Sequence, residues 1–371
     1  MKKVLITGAT VFIGNFLVEE ALKRDYDIYI TVRKTSDKET LADKNVQIVE
    51  SDFSSTINLH NLIYSLPNFD YVIHNAGVIK SLDKKTFFEV NYLNTIRLIE
   101  ALVQQNKEPD KFIYISSLAA YGPGDKKMTN PVLLSSMPRP VTSYGLSKLA
   151  AEKFIIDKAS IPYLILRPTA VYGPGEKNLL ETIKFINKGI DFQFGTKNQC
   201  LPFIYVKDLT RLVFDAMESL VLNKAYFITD GNLYKSIDLG RYVSQSLNRR
   251  NLHVPVPVGF AKIIAAIYEF ISKAMKRPPV FNVEKVNELS AHNWNCDIQP
   301  TQLDFNFKAE YDLEKGMNET IEWYRKRVGC RNNKVFIIVY NLNYNKWKIL
   351  SKNQKENWAS CYRVWVQSQQ H

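Results

Sequence analysis

Short apolar, β-branched runs alternate with longer stretches of helical periodicity along the first two-thirds of the chain. This alternation is typical of parallel strands joined by helices that cover both faces of one sheet. The predicted strands are residues 3–7, 27–32, 46–49, 71–74, 112–116, 163–167 and 226–229, and the main helices between them are 13–23, 87–105 and 143–158. The pattern therefore predicts an α/β fold, a doubly wound parallel sheet that binds its ligand at the carboxyl ends of the strands.

Beyond residue 167, helical stretches outnumber strands, and proline-containing connections such as 254–257 and 277–279 separate them. The predicted helices are 179–187, 207–222, 236–248, 260–276, 283–289 and 313–327. We expect a smaller, mostly helical lobe over about 176–328, from which the chain returns to the sheet near 203–229. Together with the sheet lobe, about 1–175, it forms one unit over 1–328.

The helix predicted over 260–276 is strongly apolar. A helix of the core or of the smaller lobe is the favoured interpretation. The alternative is an apolar wall that faces a lipid-like substrate or a membrane surface.

The last segment, 329–371, does not continue the pattern. It holds three of the five tryptophans and seven asparagines, and from residue 330 onward it carries seven basic residues against one acid. We expect an appended tail without a role in the chemistry. An added strand or a partner-docking arm is the alternative.

Charge and composition exclude several classes of protein. The formal net charge of +12 is concentrated in the tail, and no nucleic-acid-binding motif accompanies it. No apolar stretch is as long as a membrane span, and the apolar run after MKK is too short for a signal peptide. The four cysteines and five histidines lack metal-ligand spacing. We expect a cytoplasmic protein with no metal, no nucleic-acid partner and no integral membrane span.

A glycine-containing turn joins the first predicted strand to the first helix. Gly8 and Gly14 bracket ATVFI at this junction. Backbone amides at such a helix start can face a pyrophosphate, and the helix dipole favours its charge. The turn therefore predicts a dinucleotide site.

The end of the second strand bears on which dinucleotide binds. An acidic residue there accepts hydrogen bonds from the ribose of NAD, whereas this strand ends with Arg33 and Lys34. A guanidinium at this place can clamp a 2′-phosphate. We therefore expect NADP in preference to NAD, and a solvated basic turn is the alternative.

A serine, a tyrosine and a lysine form the candidate proton-transfer set. Tyr144 and Lys148 lie four residues apart on one predicted helix and so share a face, and Ser117 follows the fifth strand. A nearby ammonium stabilises tyrosinate, which is expected to lower the pKa of Tyr144. Ser117 can donate to a substrate oxygen while Tyr144 moves a proton and the cofactor moves a hydride.

The ordered motifs of residues 1–328 resemble the extended short-chain dehydrogenase/reductases, the superfamily of NAD-dependent epimerases and dehydratases. The matching stretches are VLITGATVFIG (4–14), SDF (51–53), HNAGV (74–78), EVNYLNT (89–95), YISSLAAYGP (114–123), YGLSK (144–148), LRPTAVYGPG (166–175), FIYVKDL (203–209) and ETIEWYRK (319–326). The resemblance implies a Rossmann sheet lobe that binds NAD(P), a substrate lobe, a small-molecule substrate and a homodimer.

The resemblance also implies roles for individual residues. Ser117, Tyr144 and Lys148 are the implied catalytic set. The implied cofactor contacts are Gly8, Thr10, Val11, Phe12, Ile13, Gly14, Arg33, Lys34, Asp52, Phe53, Asn75, Ala76, Gly77, Asn91, Tyr144, Lys148, Arg167, Pro168 and Thr169. Among these, Asp52 and Phe53 would meet the adenine, and the segment 167–169 would approach the nicotinamide end.

The sequence leaves alternatives for the substrate and for the activity of the protein. The basic end of the second strand and the apolar 260–276 helix favour the branch that resembles dihydroflavonol reductases and hydroxysteroid dehydrogenases, which act on hydrophobic alcohols and ketones. A sugar-nucleotide epimerase or dehydratase is the alternative. Val11 replaces a glycine of the usual pattern, and a β-branched residue is expected to resist unusual backbone angles there. A catalytically impaired cofactor-binding protein is therefore a third hypothesis.

Overall fold

The computed structural model describes residues 1–36, 38, 41, 44–127, 130–194, 199–279 and 281–328. The predicted tail, 329–371, lies outside these residues. The prediction of a seven-stranded doubly wound sheet is confirmed, with strands in the order β10-β6-β5-β4-β1-β2-β3 and every pair parallel. The strands are β1 (Lys3–Thr7), β2 (Asp27–Val32), β3 (Gln47–Glu50), β4 (Tyr71–His74), β5 (Lys111–Ile115), β6 (Tyr163–Pro168) and β10 (Lys224–Ile228).

The central strands are apolar on both sides because helices cover both faces of the sheet. On β1, Val4 and Ile6 join the core on one face, and Leu5 joins the core on the other. The first face is covered by α1 (Phe12–Lys23) and α7 (Val206–Glu218). The second face is covered by α2 (Thr56–Ser65), α4 (Asn94–Gln104) and α5 (Ser143–Asp157).

The single helix predicted over 87–105 is interrupted. It consists of α3 (Lys84–Phe88), a π-helical turn (Glu89–Leu93) and α4. A π-turn inserts a residue into the helical repeat and is frequent at functional sites. This one carries Asn91.

The smaller lobe contains helices and two short pairs of parallel strands. Its helices are α6 (Lys177–Asn187), α8 (Ser236–Leu247), α9 (Val258–Ala274), α10 (Val283–Ser290), α11 (Gln299–Phe305) and α12 (Leu313–Val328). β7 (Ala170–Tyr172) pairs with β9 (Phe203–Tyr205), and β8 (Ile190–Phe194) pairs with β11 (Leu252–Val256). The predicted return to the main sheet near 203–229 is therefore made by β10 alone, and the predicted connection at 254–257 is largely the strand β11.

Helix α9 lies in the smaller lobe, but it is not a core helix. Only Ala261, Ala265 and Ser272 of its residues are buried. Its large apolar side chains are exposed. Within the described part of the chain, no helix is long and apolar enough to cross a membrane.

Candidate active site

Two glycines shape the turn between β1 and α1. Gly8 has a φ of +69°, and a Cβ built on it would lie 2.8 Å from the backbone of Ala76. A Cβ on Gly14 would lie 2.0 Å from the carbonyl oxygen of Gly8. Both positions need glycine: a side chain on Gly8 would clash with the segment after β4 at a positive φ, and one on Gly14 would force α1 away from the turn. The helix begins at Phe12 with no side-chain cap from any described residue, and Val11 is its N-cap position. Its first amides are therefore available to an anion.

Val11 adopts an ordinary backbone conformation in this turn. Its φ is −98° and its ψ is 169°, and the residue is 44% exposed. The expectation that Val11 would meet unusual backbone angles is therefore wrong, because extended angles suit any residue. Thr10, Phe12 and Ile13 around it are half-buried.

The segment after β4 is bonded to the turn after β1. Asn75 Nδ2 donates to Gly8 O over 3.2 Å, and the Ala76 amide donates to Thr7 Oγ1 over 3.1 Å. Two neighbouring strand ends thus form one rigid edge around the glycine turn. The structure brings Asn75 and Ala76 to this edge, where the dinucleotide was predicted.

The other predicted adenosine-side residues lie after β2 and β3. Asp52 is exposed, and hydrogen bonds from Ser54 to its carboxylate lower its pKa. The ring of Phe53 is stacked 6.3 Å from that of His74, between centroids. Arg33 and Lys34 directly follow β2 and are exposed.

Ser117, Tyr144 and Lys148 come together where the end of β5 meets the start of α5. Ser117 caps a 3₁₀ turn over Leu118–Ala120, and its Oγ accepts a hydrogen bond from the Ala119 amide over 3.1 Å. A Cβ on Gly145 would lie 2.2 Å from Ala119 O, so the first turn of α5 packs directly on this 3₁₀ turn. Thr142 caps α5 by accepting from the Gly145 amide over 3.0 Å.

The titration behaviour of this set differs from the expectation. Burial raises the pKa of Tyr144 to about 12, and the neighbouring Ser117 hydroxyl acts in the opposite direction. Burial lowers the pKa of Lys148 to about 8, which Glu152 opposes. The predicted lowering of the Tyr144 pKa by the ammonium of Lys148 is wrong, because both groups lose their water on burial and this loss dominates. Lys148 Nζ donates instead to Ile115 O over 2.8 Å.

Asn91 fixes the loop beside Lys148. Its Oδ1 accepts from the Val78 amide over 2.8 Å, and its Nδ2 donates to Val78 O and to Ser147 Oγ, both over 3.0 Å. A Cβ on Gly77 would lie 2.9 Å from Asn91 Oδ1 and 3.5 Å from Lys148 Nζ. The structure therefore brings Gly77, Asn91 and Lys148 together, as the predicted site requires.

Arg167 does not reach the site with its side chain. It is buried, and its Nε and Nη2 bind the carboxylate of Glu152 at distances of 2.9 to 3.1 Å. The guanidinium also lies 4.4 Å from the centroid of the Tyr121 ring. Glu152 on α5 therefore occupies the guanidinium, and the predicted approach of the segment 167–169 to the nicotinamide end stays a prediction. Pro168 ends β6, and Thr169 Oγ1 beyond it is buried without a hydrogen-bond partner among the described residues.

Several residues around the set were not predicted. Ser116 Oγ donates to Glu152, whereas the adjacent Ser117 contacts Ala119. Glu284 of α10 accepts hydrogen bonds from the amide and Oγ of Ser143, both over 2.8 Å. The Phe87 ring lies 6.5 Å from the ring of Tyr144. These contacts join residues that are far apart in the sequence, so no local sequence motif predicts them.

His74 is a core histidine with both ring nitrogens hydrogen-bonded. Its Nδ1 pairs with Thr7 Oγ1 at 2.8 Å and its Nε2 with Thr95 Oγ1 at 3.0 Å. Burial lowers its pKa to about 3. Among the residues that the structure describes, no group of histidine, cysteine and acidic side chains could hold a metal ion.

The chain matches one protein family and is similar to both epimerases and dehydrogenases. A model of the NAD dependent epimerase/dehydratase family matches residues 4–228. UDP-glucose 4-epimerase of Vibrio cholerae is 25% identical over 334 residues, which cover 86% of this chain and 95% of that protein. Sterol-4-alpha-carboxylate 3-dehydrogenase, decarboxylating, of Candida albicans is 24% identical over 353 residues, covering 87% and 97%.

The fold is shared with solved structures. The crystal structure of Thermus thermophilus UDP-glucose 4-epimerase in complex with NAD superposes with a TM-score of 0.69 at 20% identity, covering 87% of this chain and 99% of that one.

Proposed function

We propose that this chain, which belongs to the NAD-dependent epimerase/dehydratase family, interconverts a hydroxyl and a ketone. The substrate would be small and hydrophobic, and Tyr144 would be the acid and base. The placement of Ser117, Tyr144 and Lys148 beside the glycine turn, at the carboxyl edge of the sheet, carries this proposal. These residues supply a proton-transfer group, a donor to the substrate oxygen and a fixed ammonium.

The chain fits a dinucleotide at this edge. Gly8 and Gly14 leave no room for a Cβ, the first amides of α1 are free of a side-chain cap from any described residue, and Thr169 Oγ1 is buried without a described partner. A pyrophosphate would satisfy the amides. We assign Asn75, Ala76 and Gly77 to the adenosine side and Asn91 and Lys148 to the nicotinamide side. When bound, NAD(P) supplies or accepts the hydride.

The protein groups then have separate tasks. Ser117 Oγ accepts a bond from Ala119 and lies next to the phenol of Tyr144, so we assign its hydroxyl hydrogen to the substrate oxygen when substrate binds between them. In oxidation Tyr144 takes the proton of the substrate hydroxyl, and in reduction it returns that proton to the carbonyl oxygen. Lys148 uses one of its three N–H donors on Ile115 O, which leaves two for the cofactor ribose and the phenol of Tyr144.

The second candidate is a sugar-nucleotide epimerase, and the match to the Vibrio cholerae enzyme over most of both chains favours it. The candidates differ in net cofactor turnover. A dehydrogenase consumes NAD(P) in proportion to product, whereas an epimerase returns the hydride to its substrate. The similarity to the Candida albicans sterol dehydrogenase over most of both chains favours the hydrophobic substrate.

The test is a turnover assay of the purified full chain with NADPH and NADH. Hydrophobic ketones are offered in one series and UDP-glucose in another. We expect stoichiometric oxidation of the cofactor with a ketone, and a 10²–10⁴-fold lower kcat in Tyr144→Phe with cofactor binding retained. Tyr64→Phe, at an exposed site on α2, is the matched control. UDP-galactose formation without net cofactor change would establish the epimerase instead. Cofactor binding without turnover in either series would establish the impaired protein.

We further propose that NADP is preferred, since Arg33 and Lys34 follow β2 where an acidic residue would hold the NAD ribose. NADPH is expected to bind more tightly than NADH, and Arg33→Asp is expected to reverse the order. Equal effects of Arg33→Asp on both cofactors would contradict the assignment. Titration of Val11→Gly beside the native chain measures what Val11 costs in affinity.

A further inference from the structure

Helix α9 exposes an apolar stripe along its whole length. Its exposed apolar residues recur with helical spacing on the side opposite Ala261 and Ala265. They are Phe260 (58% exposed), Ile263 (61%), Ile264 (43%), Ile267 (56%), Phe270 (75%) and Ile271 (48%). A contiguous apolar surface of this kind marks an interaction site, since it is costly to leave in water.

Basic side chains border the stripe. Lys262, Lys273, Lys276 and Arg277 lie on or just after α9 and are exposed, and Glu269 is the one acidic residue of the helix. Glu269 is paired with Lys273 over 3.0 Å. The flank therefore carries a net positive charge next to the apolar stripe, which is complementary to anionic lipid headgroups.

The dimensions of α9 suit the plane of a membrane interface. The helix has 17 residues, which at about 1.5 Å per residue give a length of about 25 Å. It does not meet the length and hydropathy of a spanning helix. A helix with one apolar face and a basic border lies in the headgroup region with that face buried.

The buried side of α9 connects this surface to the candidate active site. Ala261 and Ala265 pack in one cluster with Val286 of α10. On the same α10, Glu284 binds the start of α5 at Ser143, the residue before Tyr144. One helix thus separates the exposed stripe from the proton-transfer set.

We propose that α9 docks the protein on the surface of an anionic membrane, with its apolar stripe among the acyl chains and its lysines at the headgroups. The docking does not depend on the reaction proposed above. It places the candidate active site next to a source of hydrophobic substrate. A second copy of the chain and the segment 329–371 are the alternatives that could cover the apolar stripe.

The test is flotation of the full chain with phosphatidylcholine vesicles, with and without phosphatidylglycerol. We expect binding to the anionic vesicles. Ile263→Ser/Phe270→Ser is expected to lower the binding constant at least tenfold, since both side chains would leave the acyl region. Lys262→Ala/Arg277→Ala is expected to weaken binding to anionic vesicles several-fold and to leave neutral vesicles unaffected.

Leu220→Ser is the matched control, at a 99% exposed residue that lies outside α9. Thermal unfolding checks that all variants fold, which is expected because the substituted side chains are exposed. No binding to either vesicle would overturn the proposal. So would a dimer in light scattering that Ile263→Ser/Phe270→Ser dissociates, because a second copy would then cover the stripe. Binding that Leu220→Ser weakens equally would also overturn it.

Discussion

Replacing Arg167 with methionine should destabilise the protein far more than the loss of a surface ion pair. Arg167 and Glu152 are 3% and 1% exposed, and three nitrogen–oxygen contacts of 2.9 to 3.1 Å join them. Methionine keeps most of the side-chain stem but leaves the carboxylate of Glu152 buried, with the Ser116 hydroxyl as its partner. Removing one member of a buried pair costs about 3–5 kcal/mol.

The measurement is urea unfolding followed by circular dichroism, with the shift in midpoint converted at equal slope. Arg241→Met is the control, since its pair with Asp238 spans 3.1 Å but Arg241 is half exposed. That variant should lose only about 0–1 kcal/mol. The double variant Arg167→Met/Glu152→Leu should recover most of the loss, because no unpaired charge is then buried.

A loss below about 1 kcal/mol for Arg167→Met, equal to that of the control, would refute this reasoning. It would mean that water reaches Glu152 or that the carboxyl group is neutral at the working pH. The result bears on the candidate site as well. Glu152 lies on α5, one turn beyond Lys148, so the pair ties the helix of the proton-transfer set to β6.

Two further changes follow from the same geometry. Gly8→Ala should weaken cofactor binding and destabilise the fold by about 1–3 kcal/mol, because φ is +69° and the new Cβ would lie 2.8 Å from Ala76. Cofactor titration measures the affinity, and urea unfolding measures the stability. An unchanged affinity would contradict the role of the turn. The buried, neutral His74 should make the protein less stable as the pH falls. Its folded pKa is about 3 against about 6.5 unfolded, so its contribution, of the order of 5 kcal/mol, is present above pH 6.5 and lost as the pH falls towards 3. His74→Asn should show a shallower loss over that window, and an identical pH profile would argue against it.

The sequence predicted the main strands because, apart from the mostly exposed edge strand β3, they are largely buried between helix layers and are therefore nearly continuous apolar runs. It missed β8 and β11, which form a two-stranded pair with exposed positions such as Phe192 and Leu252 and so lack a clear apolar pattern. It also missed the π-turn at Asn91. A single inserted residue leaves the apolar spacing of the flanking helices nearly unchanged, so periodicity does not reveal it.

The candidate site was predicted where residue type and strand end suffice, as for Ser117 and Tyr144. The sequence did not reveal contacts that a distant element supplies. Arg167 stands in a predicted motif, but nothing in that motif indicates that Glu152, 15 residues earlier on α5, binds its guanidinium. The pKa of Tyr144 was misjudged for a similar reason, since burial depends on packing that spacing does not encode.

The conformation of Val11 bears on the hypothesis of a catalytically impaired protein. A missing glycine impairs a phosphate-binding turn if that position needs a positive φ or the space of a Cβ. Here the positive φ belongs to Gly8 and the steric limit to Gly8 and Gly14, while Val11 is extended and 44% exposed. The conformational reason for an impaired copy therefore disappears. What remains is the size of an exposed side chain at the helix start, and an exposed side chain can turn away from an anion that is bound by backbone amides.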